Sequence, residues 1–334
     1  MKAVGFSTYL PADHQDALVA FDTPKPTPGP RDLLVAIKAV SMNPVDTKVR
    51  RNGVPESGYR ILGYDAAGVV EAVGAEVTLF QPGDEVFYAG DITRPGTNAE
   101  FHLVDERIVG PKPKSISFEE AASLPLTSIT AWELLFDSFK IPMGGGEGES
   151  LLVVGGAGGV GSALIQLAKK LTRLHVIATA SRPETQQWSL ELGADDVIDH
   201  SQSMKEQLAQ LGKAPKYVAA LTRSDLHFER LIDIMPPRGQ IAMIDDPGPL
   251  DISKMKLKSL SFHWELMFTR SMFQTEDMAQ QHALLKKVSE LVDAGEIKAT
   301  LSEVLGRMSA ENIRKGHQLL EAGKTIGKIV LTGF

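Results

Sequence analysis

The sequence predicts an α/β protein with a mostly β domain and a doubly wound parallel sheet. Three observations predict it. Residues 1–122 contain short β-type segments separated by Gly and Pro turns, strands and helices alternate from about residue 150, and a glycine-rich turn joins the first of those strands to its helix. Alternating strands and helices are typical of a parallel sheet covered by helices.

The first part of the chain is expected to form a largely antiparallel β domain. Pro-Gly pairs punctuate the intervals between its strands, as turns require. A short helix is predicted over Pro44–Arg51, with proline in its first turn. The predicted strands are Lys2–Ser7, Leu33–Ser41, Ala66–Val73, Glu85–Tyr88 and Glu100–Val104.

Strands and helices then alternate, after a helical stretch over Ser117–Ser138. Beyond Glu265 the pattern predicts a long helix over about Thr275–Ala294, a strand near Thr300, a helix over about Ala310–Ala322 and a last strand at Gly327–Leu331. The predicted parallel strands are Leu151–Val154, Leu174–Ala180, Asp196–Ile198, Tyr217–Leu221, Gln240–Ile244 and Ser259–Trp264.

The glycine-rich turn is the strongest functional motif. It follows the apolar strand Leu151–Val154 and precedes Ser162–Leu171, in which apolar residues recur at helical spacing. Such glycines let the backbone approach a diphosphate, whose charge then lies at a helix N-terminus. A purely structural turn is the alternative, but the strand–turn–helix context favours a dinucleotide site. Its residues are Gly156, Ala157, Gly158, Gly159, Val160 and Gly161, a G-x-G-x-x-G.

Composition narrows the function. The chain has 334 residues, a formal net charge of -7 and no cysteine, which excludes disulfides, a cysteine nucleophile and thiolate zinc sites. The sequence shows no long Lys/Arg run, so nucleic-acid binding is not expected. It also contains no apolar stretch of roughly 20 residues, so no membrane span is predicted. The segment Met1–Phe6 lacks the features of a signal peptide, and we expect a cytoplasmic protein.

Six segments occur in an order that indicates a family. They are Ser41–Thr47 (SMNPVDT), Leu62–Val70 (LGYDAAGVV), Gln81–Val86 (QPGDEV), Ala121–Thr127 (AASLPLT), the glycine turn and Gly327–Leu331 (GKIVL). Together they resemble the medium-chain dehydrogenase/reductase superfamily, and within it the zinc-free quinone oxidoreductases related to zeta-crystallin. The resemblance implies a GroES-like catalytic domain built from residues 1–122 and 266–334, around an NADP-binding Rossmann domain at 123–265.

Zinc-dependent members of the superfamily hold a catalytic metal with Cys, His and Cys or Glu. The corresponding positions here are Asn43, Tyr64 followed by Asp65, and the Leu124–Pro125 region. One carboxylate cannot replace the three protein ligands that catalytic zinc usually takes, so no metal site is predicted. The four-cysteine structural lobe is missing too, because Gly90–Asn98 is short and has no cysteine. Relatives are sometimes named zinc-type alcohol dehydrogenases, and we expect such a label to reflect ancestry.

The end of the second parallel strand favours NADP(H) over NAD(H). An NAD-preferring domain places Asp or Glu about 20 residues beyond the glycines, for the ribose 2′-hydroxyl. This chain has Ser181 and Arg182 there, and a guanidinium suits a 2′-phosphate. Glu184 is expected to face solvent. By resemblance, His200 takes the place of a tyrosine near that phosphate. The alternative is that Arg182 and His200 are ordinary surface residues.

The resemblance implies reduction of quinones or α,β-unsaturated carbonyls. Negative charge then builds on the substrate oxygen, and hydrogen-bond donors can stabilise it. Each candidate also has a structural alternative: a helix cap or turn for Asn43, a core position for Tyr64, an ion pair with Lys48 or Arg50 for Asp46, and an N-cap for Thr127. The candidates are Asn43, Tyr64 and Asp46 for catalysis; Thr127, Thr130 and Lys328 for cofactor contacts; and Met267 and Phe268 for the substrate pocket.

Two other functions stay open at this point. One is a zinc-type alcohol dehydrogenase. The other is a catalytically weak NADPH-binding protein, as some zeta-crystallin relatives act in RNA binding or as lens components. The resemblance further implies a homodimer, in which the edge strand Leu260–Trp264 pairs with its copy and so covers an exposed sheet edge.

Overall fold

A computed structural model describes the whole chain, residues 1–334, as two compact units. The terminal unit comprises Met1–Ile129 and Phe268–Phe334, and the middle unit comprises Thr130–Met267. The α/β class predicted from the sequence is confirmed, because one unit is built on a parallel sheet and the other on mostly antiparallel sheets. None of the helices combines the length and apolar character that crossing a bilayer requires.

The strands and helices are numbered in chain order. The strands are β1 (Lys2–Phe6), β2 (Val19–Asp22), β3 (Asp32–Ser41), β4 (Arg60–Ile61), β5 (Ala66–Val73), β6 (Glu85–Tyr88), β7 (Phe101–Asp105), β8 (Val109–Pro111), β9 (Ser150–Val154), β10 (His175–Thr179), β11 (Asp196–Ile198), β12 (Tyr217–Ala220), β13 (Gln240–Met243), β14 (Ser261–Trp264), β15 (Leu301–Arg307) and β16 (Lys328–Thr332). The helices are α1 (Pro44–Asn52), α2 (Phe118–Ala122), α3 (Pro125–Trp132), α4 (Gly159–Leu171), α5 (Pro183–Glu191), α6 (Met204–Gln210), α7 (Ser224–Ile234), α8 (Thr269–Phe273), α9 (Gln280–Asp293) and α10 (Ala310–Glu321).

The middle unit is a six-stranded parallel sheet with the order β11-β10-β9-β12-β13-β14. The chain first winds outward from β9 to β11 and then returns to the other side of β9. This reversal makes the β9/β12 pair the switch point, where doubly wound sheets bind ligands at the carboxyl ends of their strands. Because β9 is buried along its whole length, its residues are apolar after Ser150.

The terminal unit brings the two ends of the chain together in one sheet. Its seven strands have the order β15-β16-β3-β5-β6-β8, with β7 also paired to β3. The last strand, β16, runs antiparallel to β3 and sets Val330 opposite Ser41. A second, three-stranded sheet has the order β2-β1-β4. Residues just after β3 therefore lie beside residues at the start of β16.

Buried Arg50 links helix α1 by hydrogen bonds to distant parts of the terminal unit. Its guanidinium donates to the Glu321 carboxylate at 2.6 Å and to the Leu10 carbonyl at 2.5 Å. Glu321 ends α10, so the ion pair joins helices that are far apart in sequence. An arginine is suited to this place because its planar fork donates to two acceptors at once.

The predicted long helix over Thr275–Ala294 is shorter than expected. It begins at Gln280, and a separate helix, α8, precedes it. Between them Gln274 adopts a left-handed conformation with φ of 48°, which ends α8. Asp277 then accepts hydrogen bonds from Thr275 and Arg270 in the intervening turn. The sequence analysis also missed the short strands β2, β4 and β8, which are too brief to show a clear alternation.

Candidate active site

The glycine turn has the geometry that its sequence predicts. Gly155 has a φ of 86°, and its N–H donates to the Thr179 hydroxyl at 3.1 Å. A side chain at Gly161 would place its Cβ 2.4 Å from the Gly155 carbonyl, and one at Gly156 would lie 2.7 Å from the Cβ of Ala178. The close packing of turn, strand and helix therefore requires glycine at these two positions.

Helix α4 starts inside this turn and presents an uncapped N-terminus. Gly158 is the N-cap, and no side chain caps the helix. The first amides of a helix have no acceptor within it, and they carry the positive end of the helix dipole. The carboxyl end of β9 leads directly into this turn. The residues present thus fit the diphosphate of a dinucleotide.

The turn after β10 carries a guanidinium that is already paired. An Nη atom of Arg182 lies 3.3 Å from the Glu184 carboxylate, and both side chains are largely exposed. Ser181 is exposed beside them. Glu184 was expected to face solvent; it does, but it also pairs with Arg182. A bound phosphate would have to compete with this carboxylate for the guanidinium.

His200 lies against the base of the glycine turn. Its Nδ1 is 3.2 Å from the Thr179 hydroxyl, which also accepts the Gly155 N–H. The ring of His227 meets it edge to face, with centroids 6.0 Å apart. Burial lowers the pKa of His227, and the neighbouring His200 lowers it further. The sequence analysis did not identify His227, because nothing local marks a histidine on a helix as a neighbour of this turn.

A buried network joins three residues of the terminal unit: Asn43, Asp65 and Lys328. The Lys328 ammonium lies 2.9 Å from Asp65 Oδ2, and these side chains are 4% and 0% exposed. The ammonium also donates to the Met42 carbonyl at 3.0 Å and to Asn43 Oδ1. The Asn43 amide donates to the same Asp65 oxygen at 2.9 Å. Asn43 therefore has both ends of its amide engaged within the protein.

The second oxygen of Asp65 binds the start of helix α3. Asp65 Oδ1 accepts the Leu126 N–H at 2.8 Å. Burial raises the pKa of Asp65, while the Lys328 charge and the hydrogen bonds from Asn43 and Leu126 oppose that rise. The Lys328–Asp65 pair spans 263 positions of the chain. No local pattern could have predicted it.

Asp46 is a buried carboxylate that stabilises two backbone segments. It accepts the Asn43 N–H at 2.7 Å as part of the capping of α1, and the Gly63 N–H at 3.0 Å. Burial raises the pKa of Asp46 to about 7. The Lys328 charge lowers this pKa and the Asp65 charge raises it. Of the two local partners considered for Asp46, Arg50 pairs with Glu321 instead.

Tyr64 lies between Gly63, whose N–H donates to Asp46, and Asp65, whose side chain pairs with Lys328. Its side chain is 1% exposed, and its hydroxyl has no hydrogen-bond partner. Its ring meets Phe268 edge to face, with centroids 5.6 Å apart. Burial raises the pKa of Tyr64 to about 12; the Asp46 charge acts in the same direction, and the nearby Arg60 guanidinium opposes it. The phenol is therefore protonated at neutral pH and has one unused donor.

These residues do not fit a zinc ion. Both oxygens of Asp65 are engaged in hydrogen bonds, and the Lys328 ammonium adjoining Asp65 and Asn43 would repel a divalent cation. Nowhere in the chain do three His, Asp or Glu side chains converge as metal ligands would. Three protein ligands are the usual requirement at a catalytic zinc site.

The remaining predicted residues are buried but lie in different units. Thr127, in the terminal unit, donates its hydroxyl to the Leu124 carbonyl at 3.1 Å. Thr130 and Met267 belong to the middle unit, and Phe268 belongs to the terminal unit, where it contacts Tyr64. The structure thus brings together Asn43, Asp46, Tyr64, Phe268 and Lys328 in one unit, and the glycine turn, Arg182 and His200 in the other.

Family comparisons cover most of the chain. Residues 29–114 match the alcohol dehydrogenase GroES-like domain, and residues 192–331 match the zinc-binding dehydrogenase family. The first of these contains Asn43, Asp46, Tyr64 and Asp65. The second contains His200 and Lys328.

Individual relatives span nearly the full length. A zinc-type alcohol dehydrogenase-like protein of Staphylococcus aureus is 42% identical over 99% of both chains. A quinone oxidoreductase of Pseudomonas aeruginosa is 32% identical over 91% of this chain and 92% of its own. A crystal structure from Rhizobium etli, named as a candidate zinc-dependent alcohol dehydrogenase, has a TM-score of 0.96 and 52% identity, covering 100% of this chain and 98% of its own. Other solved structures with this fold include complexes with NADPH and an NAD-dependent alcohol dehydrogenase.

Proposed function

We propose that this chain is an NADPH-dependent, zinc-independent reductase of quinones or α,β-unsaturated carbonyls. The chain belongs to the medium-chain dehydrogenase/reductase superfamily. The observation that carries the proposal is the Tyr64 hydroxyl, which is buried with no acceptor for its hydrogen and lies near Asp46 and Arg60. A donor without an acceptor in a buried position is costly, and a substrate oxygen would satisfy it.

The middle unit supplies the cofactor site in this proposal. The α4 N-terminus and the glycine turn bind the diphosphate, and Ser181 and Arg182 bind the 2′-phosphate, with His200 beside them. NADPH, when bound, supplies the hydride. Thr127 and Thr130 are proposed as further cofactor contacts. The lack of an acidic residue at the end of β10 supports the choice of NADPH over NADH.

The terminal unit supplies the acid in this proposal. As hydride reaches the β-carbon of an enone, or a ring carbon or oxygen of a quinone, negative charge develops on the substrate oxygen. The Tyr64 hydroxyl donates a hydrogen bond to that oxygen, and a proton from Tyr64 or water completes the two-electron reduction. Asn43 and Asp46 act through backbone and side-chain contacts that fix Tyr64. Phe268, whose ring meets that of Tyr64, is proposed to line an apolar substrate pocket in the terminal unit.

A homodimer is proposed for the assembly. Strand β14 is the edge of the parallel sheet, and apolar side chains near it are unusually open to solvent. Trp264 is 58% exposed and Leu257 is 94% exposed. Pairing of this edge with the same edge of a second copy would cover both the unpaired strand and these side chains.

The test of the function follows NADPH consumption against a panel of substrates. Purified protein is mixed with NADPH and with 1,4-benzoquinone, 2-cyclohexenone, benzaldehyde or cyclohexanone, and the reverse reaction is tried with ethanol and NADP⁺. The proposal expects turnover with the quinone or the enone. Turnover confined to aldehydes and alcohols would favour an alcohol dehydrogenase, and NADPH binding without any turnover would favour a binding protein.

A matched pair of variants tests the role of Tyr64. Y64F removes the unpartnered hydroxyl and is expected to lower kcat by about 10- to 100-fold with little effect on NADPH binding. Y88F is the control, because the buried Tyr88 hydroxyl is already paired with His102 at 3.1 Å. Equal activity of Y64F and the unmodified protein would contradict the assigned role.

A further inference from the structure

The Lys328 ammonium lies against residues at two of the positions that correspond to zinc ligands in metal-dependent members of the superfamily. Its three hydrogens match three acceptors: the Met42 carbonyl, Asn43 Oδ1 and Asp65 Oδ2. Because all three are engaged and the side chain is buried, the ammonium has no hydrogen left for a substrate. Any effect of Lys328 on the reaction must therefore pass through the residues that it holds.

Those residues fix the backbone on both sides of Tyr64. On one side, the Gly63 N–H donates to Asp46 and the Gly63 carbonyl accepts the Thr97 N–H at 3.0 Å. On the other side, the Asp65 carbonyl accepts the Ser41 N–H at 3.1 Å, and its side chain is held by Lys328. Tyr64 is thus held between two anchored residues while its own hydroxyl stays free.

The buried Asp65 carboxylate could not bind Asn43 and Leu126 in this way without a neighbouring cation. An unpaired buried charge is strongly unfavourable, so Asp65 without a cation would take up a proton and lose part of its hold on Asn43 and Leu126. Lysine is suited to the cation because its compact ammonium donates in three directions to acceptors that are not coplanar. The buried Arg50 differs from Lys328, because its planar guanidinium donates to two acceptors, the Leu10 carbonyl and the Glu321 carboxylate.

We propose that Lys328 is a positioning residue whose fixed charge replaces that of a metal: through Asp65 and Asn43 it holds the backbone beside Tyr64, and its charge acts on the buried Asp46 carboxylate, which accepts the Asn43 and Gly63 N–H groups. This inference rests on the function proposed above and replaces a direct cofactor contact for Lys328. The charged or titratable groups around Asp46 are Lys328, Asp65 and Tyr64.

The pKa of Asp46 can be used to detect the Lys328 charge, because Lys328 and Asp65 change this pKa in opposite directions. Lys328 lowers the pKa of Asp46 and Asp65 raises it, with Lys328 the stronger influence. An ionised Asp46 also disfavours negative charge on a substrate oxygen at Tyr64. The rate at saturating NADPH should therefore fall as pH rises through the pKa of Asp46, which burial raises to about 7. D46N should remove this inflection.

The experiment measures the Asp46 titration in two ways, by NMR of ¹³C-labelled aspartate carboxyls and by the pH dependence of kcat with a quinone. D46N identifies the Asp46 signal. K328M is expected to move the inflection to higher pH, and D65N to lower pH, each by about 1 unit. K112M is the matched control, because Lys112 is also a buried lysine that donates to a carbonyl, that of Pro113. It should leave the inflection unchanged.

Two further variants test the same role of Lys328 if K328M does not fold. The neutral double variant D65N/K328M should move the Asp46 inflection upward by about as much as K328M, because Asp65 takes up a proton once its cation is lost. K328R keeps the charge and should keep the inflection near its original pH, while kcat falls because a guanidinium does not match the three acceptors. Restoration of full kcat by K328R would overturn the positioning role.

The two readouts separate this inference from the proposed function. Opposite shifts of the Asp46 signal in K328M and D65N, matched by the rate profile, support both. If the NMR shifts occur but the rate does not follow them, the charge assignment stands and the proposed role of Tyr64 fails. If Asp46 titrates unchanged in these variants, the inference about Lys328 is overturned whatever the enzyme reduces.

Discussion

The Arg182 guanidinium lies 3.3 Å from the Glu184 carboxylate, at the turn proposed to bind the 2′-phosphate of NADPH. The pair is largely exposed, and exposed ion pairs contribute little, about 0–1 kcal/mol. A phosphate that carries close to two charges is a stronger partner for arginine. In the proposed complex, Glu184 therefore weakens rather than creates the preference for NADPH.

Removal of this carboxylate is expected to strengthen NADPH binding. E184Q should lower the Kd for NADPH by about 2- to 5-fold, within the worth of an exposed pair, and leave the Kd for NADH unchanged. Fluorescence titration of each cofactor measures both. E191Q on the same helix is the control. An equal change for NADPH and NADH would show that Glu184 does not face the 2′-phosphate.

Buried His317 is expected to make the protein sensitive to acid. Both of its ring nitrogens lack hydrogen-bond partners, and burial lowers its pKa to about 3, with the Arg50 charge acting in the same direction. In the unfolded chain the ring protonates at its ordinary pKa of about 6.5. The unfolded state therefore binds an extra proton between these values, and the free energy of unfolding falls as pH drops below about 6.5, by up to about 1.4 kcal/mol per pH unit.

The variant H317L should flatten this dependence. Thermal unfolding from pH 7 to pH 4 is expected to show a smaller loss of Tm in H317L than in the unmodified protein. Part of the loss will persist, because burial also lowers the pKa of His102, to about 4. Asp46 contributes with the opposite sign in both proteins and cancels in the comparison. H14Q, at an exposed histidine, is the control. Parallel Tm curves for H317L and the unmodified protein would contradict the prediction.

The exposed edge of the parallel sheet predicts the oligomeric state. W264E places a charge on the edge strand β14 and should convert a dimer into a monomer of about 36.2 kDa, the mass of one chain. Sedimentation velocity measures the change. F273E is the control, because Phe273 is 72% exposed but belongs to helix α8 of the terminal unit rather than to β14. A dimer that persists in W264E and dissociates in F273E would place the interface elsewhere.

Sequence patterns predicted the helices, strands and turns well where these depend on residues close to one another in the chain. The glycine turn was predictable because strand, turn and helix follow each other directly, and steric limits at Gly156 and Gly161 allow little else. The parallel strands were predictable from apolar runs that a sheet buried on both faces requires. The short strands and the break at Gln274 were missed, since each depends on contacts made elsewhere in the fold.

The candidate site was predictable only in part. Asn43, Asp46 and Tyr64 were identified by resemblance, but their partners were not. Asp65 was considered only as a metal ligand, and Lys328 only as a cofactor contact. Their ion pair forms because β16 returns beside β3, a long-range event that no motif records.

The most direct test of the central claim is turnover by protein whose metal content is known. After dialysis against EDTA, zinc is measured by mass spectrometry, and NADPH oxidation is followed with 1,4-benzoquinone and 2-cyclohexenone. The account predicts undiminished turnover by protein freed of zinc, because the buried Lys328 ammonium already pairs with Asp65, the one carboxylate at the positions that correspond to zinc ligands. Loss of activity on chelation, restored in proportion to added zinc, would contradict it.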